Sequence, residues 1–398
     1  MWDAPEGDRY DVVIAGGAMM GSSTAWWLSE LAPELSVLVL DRDPSFEFAS
    51  TTRTNSCMRQ QFSSELNVRL SRFAAEFVQD LPRFLREDWA PRLRVQSFGY
   101  LYLAADEGSA EMLRANAEVQ RRCGAATELL TPGQIAERYP FYELDDVALG
   151  SINLVNEGCW DGQAVLDAWR RSARGRGAEF ARGVVTGIET AGGRVTAALL
   201  EDGTRIACGT LVNAVGPRAA ALARMVGTEL PVAPRKRWTW VFHAETPLDR
   251  PLPLTVDPSG VHVRELGGGT YQAGGHPEDD PDVDPDDFAP RDGLFEDHVW
   301  PALARRIPLF ERIRVTHEWI GHYAYNRFDR NAVAGPHPDV PNFLFLNGFS
   351  GHGLQHAPAM GRGTAEWIAH GGYRTLDLSP FHYDRIPEGR PIVERAVI

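Results

Sequence analysis

The chain has 398 residues, 43% of them apolar, and a formal net charge of −14. That length holds two domains, or one large one with an insertion, and the apolar fraction supports a sizeable core. The acidic balance argues against non-specific binding to nucleic acid or to an anionic membrane, and leaves a small-molecule substrate open.

The first predicted elements form a βαβ unit. A buried strand at 10–15 leads into a helix at 21–31, and a second strand at 36–40 ends in Asp41. Apolar positions at Leu66, Leu70, Phe73, Phe77 and Leu81 predict helix across 63–88, followed by a strand at 98–103 and a charged helix at 109–122. A helix over 162–176 precedes short strands near 184–185, 195–200 and 210–213. Residues 232–275 carry aromatic and β-branched runs that predict antiparallel strands. The acid- and proline-rich stretch 276–287 lacks the glycine and terminal glutamate of an EF-hand loop and reads as a solvated surface loop. Phe343 to Leu346 form a last strand, and a glycine loop then opens a helix that runs to about His370.

Two of these units carry dinucleotide-type chemistry. In VVIAGGAMMGSS, Gly16 permits the tight turn after the strand and Gly21 permits close helix–strand packing. Gly17 lies between them, Ala18 takes the place usual for the second glycine, and Met20, just before the predicted helix, is a further candidate cofactor contact. Asp41, about twenty residues on, suits the ribose hydroxyls; the adjacent Arg42 has no assignable role. At the other end, Gly348, Gly351 and Gly353 surround a second helix N-terminus, which places positive potential against an electron-rich ligand. The fingerprint alone does not separate NAD from FAD. FAD is favoured by the small polar segment 49–62, with Ser50 and Thr51, and by a strand ending in Ala214-Val215-Gly216.

The four cysteines, Cys57, Cys123, Cys159 and Cys208, show no metal or redox spacing and are expected to be reduced, mostly buried thiols. Asp3, Glu6 and Asp8 stand where a signal peptide would be basic, and no span reads as a membrane helix. A cytoplasmic protein without an integral membrane segment is expected. His352 and His356 sit four apart, but without a HExxH glutamate, so no metal site is expected.

Taken together, AST…CMRQQF (49–62), EGCWDGQAVLDAW (157–169), LVNAVGP (211–217), YNRFDRNAVAGPHP (325–338) and GFSGHGLQHAPAMGRGTAEWI (348–368) resemble the D-amino-acid oxidase/sarcosine oxidase superfamily over nearly the whole length. The resemblance implies α/β plus antiparallel β architecture. A discontinuous, Rossmann-like FAD domain of glutathione-reductase type (8–90, 150–225 and 320–385) would be joined by a mixed-sheet substrate domain (91–149 and 226–319). It also implies FAD contacts from the two glycine loops, including His352, Leu354 and Gln355, and from Val185. The substrate would be an amine or amino acid, typically secondary or tertiary, oxidised at the carbon next to nitrogen.

Within that resemblance, Arg59 matches an arginine that pairs with the substrate carboxylate; a structural salt bridge is the alternative. His276 matches a pocket histidine, or is a solvated loop residue. Gln355 and, more loosely, Gln272 stand where monomeric sarcosine oxidases carry lysines for the substrate carboxylate and for oxygen activation. Their loss points to a dehydrogenase rather than an oxidase, with quinone, an electron-transfer flavoprotein or oxygen as acceptor. Arg264 is a candidate helper to Arg59. His322 lies near the place where some relatives attach flavin covalently. The runner-up readings are a 2-hydroxy-acid dehydrogenase on the same fold and a flavin-binding assembly protein without turnover.

Overall fold

The computed structural model describes residues 2–396, and two large sheets organise them. In the first, Arg9–Ala15 lies at the centre between Val37–Asp41 and Arg205–Asn213, all parallel, with Glu179–Arg182 beyond on one side. Phe343–Asn347 adds in parallel to Arg205–Asn213, and Val333–Pro336 closes that edge antiparallel. Near-continuous burial of VVIA, VLVL and FLFLN is what a parallel strand covered on both faces requires.

The helix Met19–Leu31 covers this sheet and crosses the last long helix, Gly353–His370, at close range. A β-carbon at Gly361 would stand 2.2 Å from Ser23 Oγ, so glycine is what lets the two backbones approach. Ser23 Oγ and Trp27 Nε1 then donate to the carbonyls of Ala357 and Pro358. The two chain ends thus meet in one layer, and their glycine loops open on the same side.

The second sheet runs Ile313–Asn326, Val232–Ala244, Thr270–Gly275, His262–Gly267, Leu254–Val256, Tyr100–Ala104, Leu149–Asn153 and Glu128–Leu130. All its pairings are antiparallel except Leu254–Val256 with Tyr100–Ala104. Trp238, Trp240 and Phe242 alternate along Val232–Ala244 and pack into its apolar core, as a strand period of two dictates. The boundaries drawn from sequence at 149/150 and 319/320 fall inside Leu149–Asn153 and Ile313–Asn326, both strands of this sheet. The helix Pro132–Arg138, which the sequence reading passed over, starts at a capping box formed by Thr131 and Gln134.

The stretch 276–287 is largely exposed, but arginines and a lysine hold it. Arg235 and Arg237 pair with Asp280, Lys236 with Asp287, and Arg218 with Asp286. No helix among the described residues is long and apolar enough to cross a membrane.

Candidate active site

A cavity of ≈ 840 Å³ runs between the two sheets, from Asp41 to Arg59. At one end the turn after Arg9–Ala15 is forced by Gly16, whose φ is +100°; a β-carbon there would stand 2.3 Å from the Ala214 carbonyl oxygen. Gly21 is equally constrained, with Gly16 O 1.8 Å from the position of a β-carbon. Gly17 and Gly21 therefore shape the cavity from behind, while Gly16, Ala18 and Met20 form its wall.

Asp41 lines the cavity and accepts hydrogen bonds from the Gly17 and Asp43 amides, at 2.7 and 2.9 Å. Burial holds its carboxyl above the usual range despite those two donors. Arg42, Ser50, Thr51, Val185, Ala214 and Gly216 continue the wall, with Arg42 turned outward to Asp286. Ser50 Oγ donates to His322 O, and Thr51 Oγ1 accepts from the Met19 amide at 3.4 Å.

Neither helix that opens on the cavity has a side-chain cap or an acidic residue in its first turn. Apart from the Met19 amide, which Thr51 takes, their first-turn N–H groups are open to an anion. Gly351, Gly353, Leu354 and Gln355 line the cavity from the second of them. Gly351 has φ +98°, and the Tyr323 ring occupies the space a β-carbon would need. Two bare helix ends, glycines that backbone contact makes obligatory, and a carboxylate at the ribose end fit an extended dinucleotide.

Arg59 stands at the opposite end, 6% exposed. Its guanidinium lies 4.1 Å over the Phe62 ring and donates through Nη1 to Gln61 O at 2.8 Å. Among the described residues no carboxylate forms an ion pair with it. Tyr102, whose ring is 5.9 Å from the same guanidinium, has a buried hydroxyl without a partner.

Beneath Arg59 lies a polar frame built on Glu157, which is fully buried. Its carboxylate accepts from Gln60 N at 2.5 Å and from Asn153 Nδ2 and Gln61 Nε2 at 2.9 Å each. Burial raises the Glu157 carboxyl to about 7 against the pull of these donors. A carboxyl that keeps its proton more tightly in the folded than in the unfolded chain stabilises the fold at low pH. It loses that contribution as pH rises through 7. Glu157→Gln cannot titrate, so the melting-temperature difference, wild type minus variant, should fall between about pH 5 and about pH 8. A constant difference across that range would show that Glu157 does not titrate there.

Several expected site residues are placed elsewhere. Gln355 does line the cavity, but its Oε1 accepts from the Arg59 amide at 2.7 Å, so it fixes the arginine's backbone. Gln272 sits one residue behind the wall, donating to Asn55 and accepting from Arg264 Nη2 at 2.7 Å. Arg264 is therefore committed to Gln272 and does not join Arg59. His276 is half-buried outside the cavity, its Nδ1 2.8 Å from Pro277 O, because the chain turns away after Gly275. His352 turns inward between Phe62 and His356, at ring separations of 5.5 and 4.9 Å. Burial keeps its imidazole neutral, and it packs behind the loop whose glycines face the cavity. His322 does line the cavity, stacked on Phe288 with Nε2 2.8 Å from Asp287 O.

Asn55, Arg237, His262 and Tyr323, which sequence reasoning did not single out, complete the cavity wall, together with Trp238, whose alternation with Trp240 and Phe242 reads as sheet packing. Asn55 accepts from Gln272 and Thr239 and meets His262 Nε2 at 3.0 Å through its own amide nitrogen. Burial lowers His262 to about 4, so the ring is neutral. Glu157 had a signal, since it opens the EGCWDG motif, and Asn55 lies in the small polar segment 49–62; the others had none beyond lying on strands of the second sheet.

Fold and site together define an FAD-dependent oxidoreductase. The model of the family described as FAD dependent oxidoreductase (DAO) matches residues 11–367, and the chain belongs to that family. It is 37% identical over 433 residues to FAD-dependent oxidoreductase domain-containing protein 1 of Xenopus laevis, covering 99% of this chain and 87% of that one. It is 24% identical to sarcosine oxidase subunit beta of Rhizobium meliloti, over 99% of this chain and 92% of the relative. Among solved structures, L-proline dehydrogenase from P. horikoshii superposes with a TM-score of 0.82 at 24% identity, covering 96% of this chain and 99% of that one. That likeness speaks for the fold alone.

Proposed function

We infer that this chain oxidises an amino acid, with a secondary or N-alkyl amine as the preferred class, and that it works as a dehydrogenase. The observation that carries the reading is Arg59: a buried guanidinium on the cavity wall with no carboxylate partner among the described residues. A buried charge without a counter-ion is costly, and a substrate carboxylate would supply one in the bidentate geometry that arginine favours. Gln355 and the Glu157 frame hold the arginine in place before substrate arrives, which lowers the cost of ordering it.

In this reading the first sheet, with the two glycine loops, is the FAD domain and the second sheet is the substrate domain. Gly16, Ala18, Asp41 and the 351–355 loop would hold the cofactor. When bound, FAD supplies a two-electron acceptor for the hydride at the carbon next to nitrogen. The chain's residues supply orientation and a dry wall: Trp238 and Tyr323 cover the cavity, and neutral His262 adds no competing charge near the amine. No side chain is assigned as a strong base, since a neutral amine needs none, and the released imine hydrolyses in water. The name of the sarcosine oxidase relative supports an N-substituted amino acid over a 2-hydroxy acid. Product analysis tests this directly. A carbonyl compound formed in equal amount with an amine is expected. Conversion of 2-hydroxy acids alone would transfer the reading to the runner-up.

Dehydrogenase character rests on the absence of a free lysine at the site. Lys236 is the only lysine in the chain, and its Nζ is held by Asp287 Oδ1 at 2.7 Å and Ala289 O at 2.8 Å. A lysine ammonium in the place of Gln272 would stabilise developing superoxide, and the uncharged glutamine amide does so far less. Reduced protein mixed with air should reoxidise slowly and with a quinone rapidly, in stopped-flow absorbance. Air reoxidation as fast as the quinone reaction would make it an oxidase.

A further inference from the structure

A pair of cysteines far apart in sequence lies opposed in the structure. The short strands Cys57–Met58 and Gly158–Cys159 pair antiparallel, with Cys57 directly across from Cys159. The hydrogen bonds fix which kind of cross-strand pair this is. Cys159 spends both its backbone groups on Gln96, donating to Gln96 O at 3.3 Å and accepting from Gln96 N at 2.7 Å. The adjacent bond toward the other strand runs from Trp160 N to Ser56 O at 3.0 Å. Cys57 and Cys159 therefore occupy a non-hydrogen-bonded site, where α-carbons stand about 4.5 Å apart and side chains leave the same face. That separation lies at the near end of the range disulfides span.

The pair is rigidly presented. Gly158 has φ +153°, and a β-carbon there would stand 1.8 Å from Gln96 O, so the strand cannot slide away from its neighbour. Cys57 lines the large cavity, two residues before Arg59. Cys159 lines a second, smaller cavity and lies two residues after Glu157. Both residues are half-buried, whereas Cys123 and Cys208 are buried in two separate apolar clusters.

The geometry points to a redox-modification site: a peroxide closes Cys57 and Cys159 into a disulfide that staples the Arg59 segment to the strand after Glu157. Cys57 faces the cavity that the cofactor would fill, whereas Cys159 faces the smaller one, so Cys159 meets the oxidant first. The Cys159 thiolate attacks one peroxide oxygen, becomes a sulfenic acid and releases water (or an alcohol). The Cys57 sulfur then displaces the sulfenic hydroxyl, which leaves as a second water with the Cys57 proton. Two thiols are oxidised by two electrons and one peroxide is reduced. A thiol reductant reverses the step by exchange.

The test uses the FAD-loaded protein treated with equimolar hydrogen peroxide, followed by thiol counting and peptide mass spectrometry without reductant. The expected result is a fall from four free thiols to two, with a cross-linked peptide holding Cys57 and Cys159 that dithiothreitol separates. In Cys57→Ser protein the same treatment should leave Cys159 as a sulfenic acid that dimedone traps. Four free thiols after treatment, or sulfinic acid at Cys159 beside an unmodified Cys57, would overturn the proposal.

Discussion

Replacing Arg59 with alanine should lower kcat/KM for an amino-acid substrate by roughly 30-fold or more while leaving flavin content unchanged. Removing one partner of a buried charge pair costs about 2–5 kcal/mol, and each 1.4 kcal/mol is about tenfold. Flavin should be retained because the cofactor-side wall does not depend on the guanidinium, and Gln355 binds the backbone of residue 59 rather than its side chain. Arg59→Lys should recover only part of the loss, since an ammonium lacks the planar fork. Steady-state kinetics together with the flavin-to-protein absorbance ratio separate the outcomes. Loss of flavin with Arg59→Ala would assign this arginine to the cofactor instead. Undiminished turnover would remove it from the site.

The second large effect is expected at Gly16. Gly16→Val places a branched side chain where φ is +100° and where the Ala214 carbonyl oxygen lies 2.3 Å from the first added atom. Purified Gly16→Val protein should carry almost no flavin. Asp41→Ala strains no backbone and should weaken retention by a smaller amount, since it removes the carboxylate but keeps the turn. If Gly16→Val is folded by circular dichroism and still yellow, the glycine loop is not the cofactor's cradle. If Asp41→Ala binds FAD as tightly as wild type, the ribose end has been placed wrongly.

What was legible in the sequence was what local sterics and periodicity control. The glycine turns at 16 and 351, the buried parallel strands and the two long helices at the chain ends all follow from spacing a few residues wide. The site's substrate half was harder to read because strand register decides it. Gln272 sits on the strand the sequence indicates, yet only its pairing opposite Val241 and Arg264 reveals that its amide is tied up behind Asn55. His352 stands between two glycines that face the cavity, and alternation along the loop turns it into the core instead. Glu157 is a charged residue in a motif, and nothing local says that three donors close around it. The cysteine pair was invisible for the same reason: its partners are about a hundred positions apart, joined only by a two-residue ladder.

Anaerobic mixing of the FAD-loaded protein with amino acids, N-methyl amino acids and 2-hydroxy acids, read as flavin absorbance, bears most directly on the central claim. The account predicts that an amino acid with a free carboxylate, and a secondary amine above others, bleaches the flavin in wild type and far more slowly in Arg59→Ala. Flavin that stays oxidised with every amino acid, or that bleaches equally fast in both proteins, would contradict it.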